Sequence, residues 1–171
     1  MTHLSVDGGR LGYEVAGEGP LIVLAHGMGH TRTAYRFVAP RLIAAGYRVA
    51  SADLRGCGGR NPGDWTARQA GIEAELRAPG RMTALRAMLK TSPADAGAQL
   101  GSVRCPALII EGSLDPDWTD PRAEGEAIIA ALPAGVGTLR MIDGAGHYPH
   151  DQYPDQTAAL ILEFLGANAD A

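Results

Sequence analysis

Apolar positions in this chain come in short runs that end in glycine-rich turns, with helical spacing between them. The densest run is Leu21-Ile22-Val23-Leu24-Ala25, which breaks at once into His26-Gly27-Met28-Gly29-His30. A run this short cannot span a membrane and predicts a strand buried on both faces. Before it, Leu4 and Val6 alternate with polar neighbours, Asp7-Gly8-Gly9 supplies a turn, and Leu11-Gly12-Tyr13-Glu14-Val15 returns, which predicts a β-hairpin within residues 3–20. After it, Tyr35, Val38, Leu42 and Ile43 stand at near-helical spacing within residues 33–45. Pro40 should break or kink that helix, because it has no N–H to bond back to Arg36, and Gly46 is a natural stop. A second strand, Val49-Ala50-Ser51-Ala52-Asp53, follows and runs into Arg55-Gly56-Cys57-Gly58-Gly59. Strand, helix, strand in this order predicts a βαβ unit with parallel strands.

The pattern weakens over residues 60–101. Asn61-Pro62-Gly63 reads as a loop, and residues 67–90 hold helical pieces with Met82, Leu85, Met88 and Leu89 on one face, broken at Pro79-Gly80. Ser92-Pro93-Ala94-Asp95 predicts a helix start with serine as cap. No strand is expected in this stretch. Ala107-Leu108-Ile109-Ile110 is then a third buried strand, ending in Glu111-Gly112-Ser113-Leu114-Asp115-Pro116-Asp117. Asp120-Pro121 opens a helix with Ala123, Ala127, Ile128 and Ala131 inward. Residues 138–142 form a fourth parallel strand that ends in Asp143-Gly144-Ala145-Gly146-His147-Tyr148-Pro149-His150. A last amphipathic helix over residues 155–165 turns Ala158, Ile161, Leu162 and Leu165 inward. This alternation argues for an α/β fold with a parallel sheet.

Composition narrows the function. With 171 residues, 46% of them hydrophobic and 20% charged, the chain is expected to be one soluble domain able to bury a core. A net charge of −4 without a basic block, together with an aromatic content of 5%, argues against nucleic acid or an anionic membrane as partner. Cys57 and Cys105 share no zinc or redox spacing and read as free thiols in a reducing compartment. Residues 1–7 show neither a basic start nor an apolar core of an export signal, so the expected location is cytoplasmic.

Four strands thus end in polar turns: His26-Gly27-Met28-Gly29, Asp53-Leu54-Arg55-Gly56, Gly112-Ser113-Leu114-Asp115 and Gly144-Ala145-Gly146-His147. In a parallel sheet these turns share one edge, the edge where doubly wound folds bind ligands, so Asp115 and His147 can meet. A carboxylate holding one imidazole nitrogen leaves the other free as a general base. Asp117 is the fallback acid. His26 is expected to shape its turn by hydrogen bonding, His30 and His150 to be solvated or lining residues, and Asp53 and Arg55 to brace a turn as an ion pair. Gly27-x-Gly29-x-x-Arg32 departs from a dinucleotide fingerprint, with Arg32 where its third glycine belongs. The pairs His26/His30 and His147/His150 lack the HExxH context of a zinc site. No cofactor and no metal are expected.

With these motifs in this order, the chain resembles the α/β-hydrolases over residues 1–60 and about 100–165. The resemblance implies a catalytic pair of His147 and Asp115, and an oxyanion turn of His26, Gly27 and Met28 in which the Met28 amide supplies half of the oxyanion hole. It implies hydrolysis of a carboxylic ester or related acyl bond in a small-molecule substrate. The family also carries a nucleophile on a Gly-x-Ser-x-Gly elbow, and no serine of this sequence has a glycine two positions before it. Residues 61–101 instead read as a remnant of cap and connecting helices. Water, or Cys57, is left to attack, or else the chain is a non-catalytic remnant or small-ligand-binding fold. The expected architecture is a shortened α/β-hydrolase: one domain over residues 1–171, mainly parallel, with helices on both faces, four parallel strands and the N-terminal hairpin at one edge. The strand at residues 21–25 would then pair with that at residues 107–110, or a second chain would fill the gap, or a bare edge would favour homo-oligomers.

Overall fold

In the computed structural model, the N-terminal hairpin forms from β1 (Thr2–Val6) and β2 (Gly9–Ala16), antiparallel, with Thr2 opposite Tyr13 and Val6 opposite Gly9. The structure describes residues 2–7, 9–28, 30–54 and 65–169. Gly29, the turn Arg55-Gly56-Cys57-Gly58-Gly59 and the loop Asn61-Pro62-Gly63 lie outside the described residues. Strand β2 is longer than its hairpin partner requires, and it also pairs, antiparallel, with β4 (Arg48–Ala52). Strand β4 in turn pairs in parallel with β3 (Leu21–Ala25), from Leu21 opposite Arg48 to Ala25 opposite Ala52. The order is β1-β2-β4-β3, a mixed sheet. With the helices Trp65–Arg77 (α2) and Arg81–Met88 (α3), which are separated at Pro79-Gly80 as expected, it belongs to the first of two units into which the chain divides.

One expectation fails in this unit. Strand β3 is not buried on both faces: Ile22 and Leu24 are half-buried, but Leu21 and Val23 are 61% and 64% exposed. Only one face of β3 meets a core, so its side chains alternate in environment as those of a one-sided sheet do. On the apolar face of α3, Met82 is exposed and Leu85 half-buried, and Leu89, just beyond the helix, is exposed.

The second unit comprises Phe37–Ala45 and Pro93–Ala171. Its sheet is a parallel pair, β5 (Ala107–Gly112) with β6 (Gly137–Ile142), in register from Ala107 opposite Gly137 to Gly112 opposite Ile142. The expectation of four parallel strands in one sheet is therefore corrected: β3 has its ladder with β4, and β5 with β6. Residues 65–101 fold as helices and turns and offer neither ladder a further strand.

Helix α1 (Ala39–Ala44) starts afresh after a 3₁₀ turn at Arg32–Tyr35. Pro40 sits in its first turn, where the missing N–H would be unpaired anyway. Val38 and Leu42 are fully buried. Arg41 forms an ion pair with Asp155 of the last helix, α7 (Pro154–Ala167), which holds α1 against α7. The short α4 (Ala94–Gly97) begins one residue later than expected, with Pro93 rather than Ser92 at its cap. Helix α5 (Pro121–Ala131) is capped by Asp120, whose Oδ1 accepts the Ala123 N–H at 3.0 Å. Its inner face is Gly125, Ile128, Ile129 and Leu132, at spacings of three, four and seven, while Ala123, Ala127 and Ala131 are exposed. Glycine at 125 permits this seating, because a Cβ there would stand 2.6 Å from Leu139 Cδ1 of β6. The inward side of α7 is as expected, with Ala158 buried and Ile161, Leu162 and Leu165 half-buried. Between β6 and α7, Pro149–Gln152 forms a further short helix, α6. Among the described residues, no helix is long and apolar enough to cross a membrane.

Candidate active site

The chemistry-bearing turns begin where β5 and β6 end, side by side. The two turns are stitched by backbone and side-chain bonds. Ser113 N–H donates to Ile142 O at 3.0 Å and Leu114 N–H to Ala145 O at 2.8 Å. Ser113 Oγ accepts the Gly144 N–H at 2.9 Å and donates to Asp143 Oδ1 at 3.0 Å. The close approach needs glycine at 112, where a Cβ would meet Gly146 O at 2.3 Å and Ala145 O at 2.4 Å. Gln152, from α6, accepts the Gly146 N–H through Oε1 at 2.7 Å and so fixes the residue before His147.

This scaffold brings Asp115 and His147 together as expected. Nδ1 of His147 lies 2.9 Å from Asp115 Oδ2 and 3.1 Å from Oδ1. An ionised carboxylate only accepts, so Nδ1 carries the proton of this bond and Nε2 keeps its lone pair. The Asp115 side chain is 5% exposed and that of His147 43% exposed. The anchor is thus buried while the ring remains accessible. Asp117, the fallback acid, stands on the same nitrogen: its Oδ2 is 3.4 Å from His147 Nδ1. Asp115 Oδ1 also accepts the Asp117 N–H at 3.0 Å, which closes the turn around Pro116. The Tyr148 ring meets the imidazole edge-on, with centroids 4.8 Å apart. Glu111, on β5 below this turn, has its pKa raised by burial and by the nearby Asp115 and Glu124 carboxylates, against an opposing pull from His147. Asp115, Asp117 and His147 bring three donor atoms within 4.8 Å of one another. Both carboxylates are already directed at one ring nitrogen, an arrangement that orients an imidazole.

In the first unit, the His26 turn is built by hydrogen bonds, as expected. Nε2 of the buried His26 accepts the Leu54 N–H at 2.9 Å, so Nδ1 bears the proton and donates to Gly27 O at 2.8 Å. Both ring nitrogens are thereby committed to structure. Among the described residues, no acceptor takes the Met28 N–H. Asp53 is buried and braces this region through Arg32; its expected partner Arg55 lies outside the described residues. Asp53 accepts from the Arg32 backbone N–H at 2.7 Å and from its guanidinium at 2.6 Å, and Glu14 accepts from Arg32 Nε at 3.0 Å. Burial opposes the charge on Arg32, and the two carboxylates more than offset it, so its pKa stands above the ordinary value. His30 is buried rather than solvated, and His150 is half-buried. The sequence pattern pointed to neither Arg32 nor Glu14 as a brace, since partners 18 and 21 residues apart leave no local signature. Cys57 lies outside the described residues.

The ordered motifs, the α/β fold and the carboxylate–imidazole turn pair are those of an α/β-hydrolase-type fold. Residues 22–81 match the model of the alpha/beta hydrolase family. No curated protein matches the chain significantly. Among solved structures it is similar to a thermophilic esterase from Thermogutta terrifontis, at 17% identity and a TM-score of 0.70, covering 98% of this chain and 99% of that one. A serine hydrolase involved in carbazole degradation is similar at 15% identity, a TM-score of 0.73 and coverage of 97% and 98%. A bromoperoxidase from Bacillus anthracis is similar at 16% identity, a TM-score of 0.67 and coverage of 96% and 99%. Likenesses at this identity speak for the fold, and the differing activities named for these proteins leave function to the residues of the site.

Proposed function

We propose that the chain hydrolyses carboxylic esters or related acyl bonds of small molecules, with His147 as general base and Asp115 as the residue that orients it. The observation that carries this reading is the Asp115–His147 pair, in which a buried carboxylate commits Nδ1 and leaves Nε2 accessible. No serine stands on a Gly-x-Ser-x-Gly elbow, so water is taken as the attacking group, with Cys57 as the alternative. Nε2 takes a proton as the water oxygen adds to the carbonyl carbon. The tetrahedral oxyanion then collapses, the carbon–oxygen bond to the alcohol breaks, and the proton on Nε2 passes to the departing alkoxide. The Met28 amide is proposed as oxyanion donor on the strength of the family resemblance, with His26 and Gly27 shaping the turn that presents it.

Turnover of a p-nitrophenyl ester tests this. Wild type is expected to exceed background modestly, because the missing nucleophile forfeits most of the family's rate. His147→Ala is expected to remove about 10²-fold or more of whatever enhancement remains. An unchanged rate in His147→Ala overturns the proposal. Cys57→Ala separates attack by water, which survives it, from attack by that thiol.

The absent elbow favours a second reading, a non-catalytic remnant that keeps the fold for binding small ligands. It predicts no ester turnover above background and no labelling by a serine-reactive phosphonate.

A further inference from the structure

Asp117 does not behave as a bystander in the turn that carries Asp115. Its backbone N–H is held by Asp115 Oδ1 at 3.0 Å, with Pro116 between the two fixing the chain direction. That bond sets the start of the Asp117 side chain relative to the Asp115 carboxylate. The free end then arrives 3.4 Å from the His147 Nδ1 that Asp115 already occupies. The turn itself needs only the backbone of residue 117, so closing it does not account for where the carboxylate points.

We propose that Asp117 is a second positioning carboxylate for His147: Asp115 fixes the ring by hydrogen bonding, and Asp117 supplies additional charge that stabilises the ring once it has taken up a proton. The proposal rests on the reading of His147 as a base and assigns a further residue to the same site. The two carboxylates divide the work by environment. The Asp115 side chain is 5% exposed and little screened, whereas that of Asp117 is 60% exposed. A charge in that position acts through solvent, so its effect is modest and depends on salt. Among the described residues, Glu111 of β5 interacts electrostatically with His147, Glu124 of α5 acts in turn on Glu111, and the Tyr148 ring meets the imidazole edge-on. Asp117 is the acid among them that is both close to Nδ1 and open to counterions.

The test is titration of the His147 imidazole by NMR in the full chain, compared among wild type, Asp117→Asn, Asp117→Glu and Asp115→Asn. At an ionic strength of about 0.01 M the Debye length is about 30 Å, and at about 1 M it is about 3 Å. At low salt, Asp117→Asn is expected to lower the His147 midpoint by about 0.2 to 0.7 pH units, the range of an exposed ion pair. The difference should collapse at high salt, and Asp117→Glu should restore most of it. Asp115→Asn should lower the midpoint at both salt concentrations. An unchanged midpoint in Asp117→Asn at low salt overturns the proposal. So does a fall that persists undiminished at high salt, which marks a rearranged turn rather than a lost charge. The readout does not require turnover, so an inactive chain would sink the hydrolase reading and leave this result to be judged separately.

Discussion

At the scale of single residues, the site is governed by which polar groups burial leaves with a choice. His26 and His147 both lie in turns after a strand and both neighbour glycine, yet they differ in what their ring nitrogens can do. His26 spends Nε2 on the Leu54 amide and Nδ1 on Gly27 O, and so has no nitrogen for chemistry. His147 spends only Nδ1. Glu111 shows the cost of placing a carboxylate near this arrangement. Burial and the neighbouring Asp115 and Glu124 carboxylates raise its pKa. A carboxyl group whose folded pKa is raised binds more protons in the folded than in the unfolded state, so its contribution to stability falls as pH rises from the ordinary carboxylate range through the raised value. Glu111→Gln, which removes the titration, is therefore expected to raise the thermal midpoint at pH 7, with the advantage shrinking as pH falls to about 4. Thermal unfolding of both proteins across that window checks it, and an advantage independent of pH would argue against this origin.

Among elements, the decisive relation is the approach of the β5 and β6 turns. A parallel pair in register delivers residues 112 and 142 to the same level, and the turns beyond them are then joined by Ser113, Leu114 and the Gly146–Gln152 bond. Gly112 is the tightest point. The neighbours a Cβ would strike are main-chain carbonyl oxygens, which cannot rotate away as a side chain can. Gly112→Ala is expected to lower stability by about 3 kcal/mol, the upper end of ordinary overpacking. It should also separate His147 from Asp115. Urea unfolding reads the first effect, and a fall of the His147 titration midpoint reads the second. Retention of both wild-type values would show that the turns tolerate a wider spacing. The contrast is Gly125, where the obstacle is the flexible Leu139 side chain.

For the whole molecule, the notable feature is a sheet edge whose chemistry suits a covered position. Strand β3 ends the order β1-β2-β4-β3 and exposes Leu21 and Val23. Edge strands of soluble proteins are commonly protected by charge, proline or a covering element, because an open apolar edge invites pairing with another chain. Neither of these two residues carries a charge. Wild type is expected to associate as its concentration rises in sedimentation velocity, and Val23→Lys to reduce this while changing unfolding free energy by no more than about 0.5 kcal/mol, as an exposed substitution should; a wild type that stays monomeric would overturn the expectation. Undiminished association in the variant would place the contact elsewhere.

Local chemistry made much of this protein readable in advance. The hairpin, the strands at residues 21–25 and 107–110, the break at Pro79-Gly80 and the capped start of α5 all follow from turn residues and periodicity that act within a few positions. So did the meeting of Asp115 and His147, because parallel strands deliver their terminal turns to one edge. Other features depended on partners remote in sequence. The inner face of α5 turned on the fit of Gly125 against Leu139, and no alanine pattern could reveal it. The brace that Arg32 makes on Asp53 is set by the fold around the 3₁₀ turn. The expected single ladder became two because strand pairing depends on which neighbour is present, which a strand's own residues do not encode. The sequence by itself determined the class of fold and which carboxylate meets which imidazole. Tertiary structure decided which nitrogen of each histidine is spent, that a second carboxylate reaches His147, and which face of β3 is left open, because each of these is set by groups that only folding brings within a few ångströms.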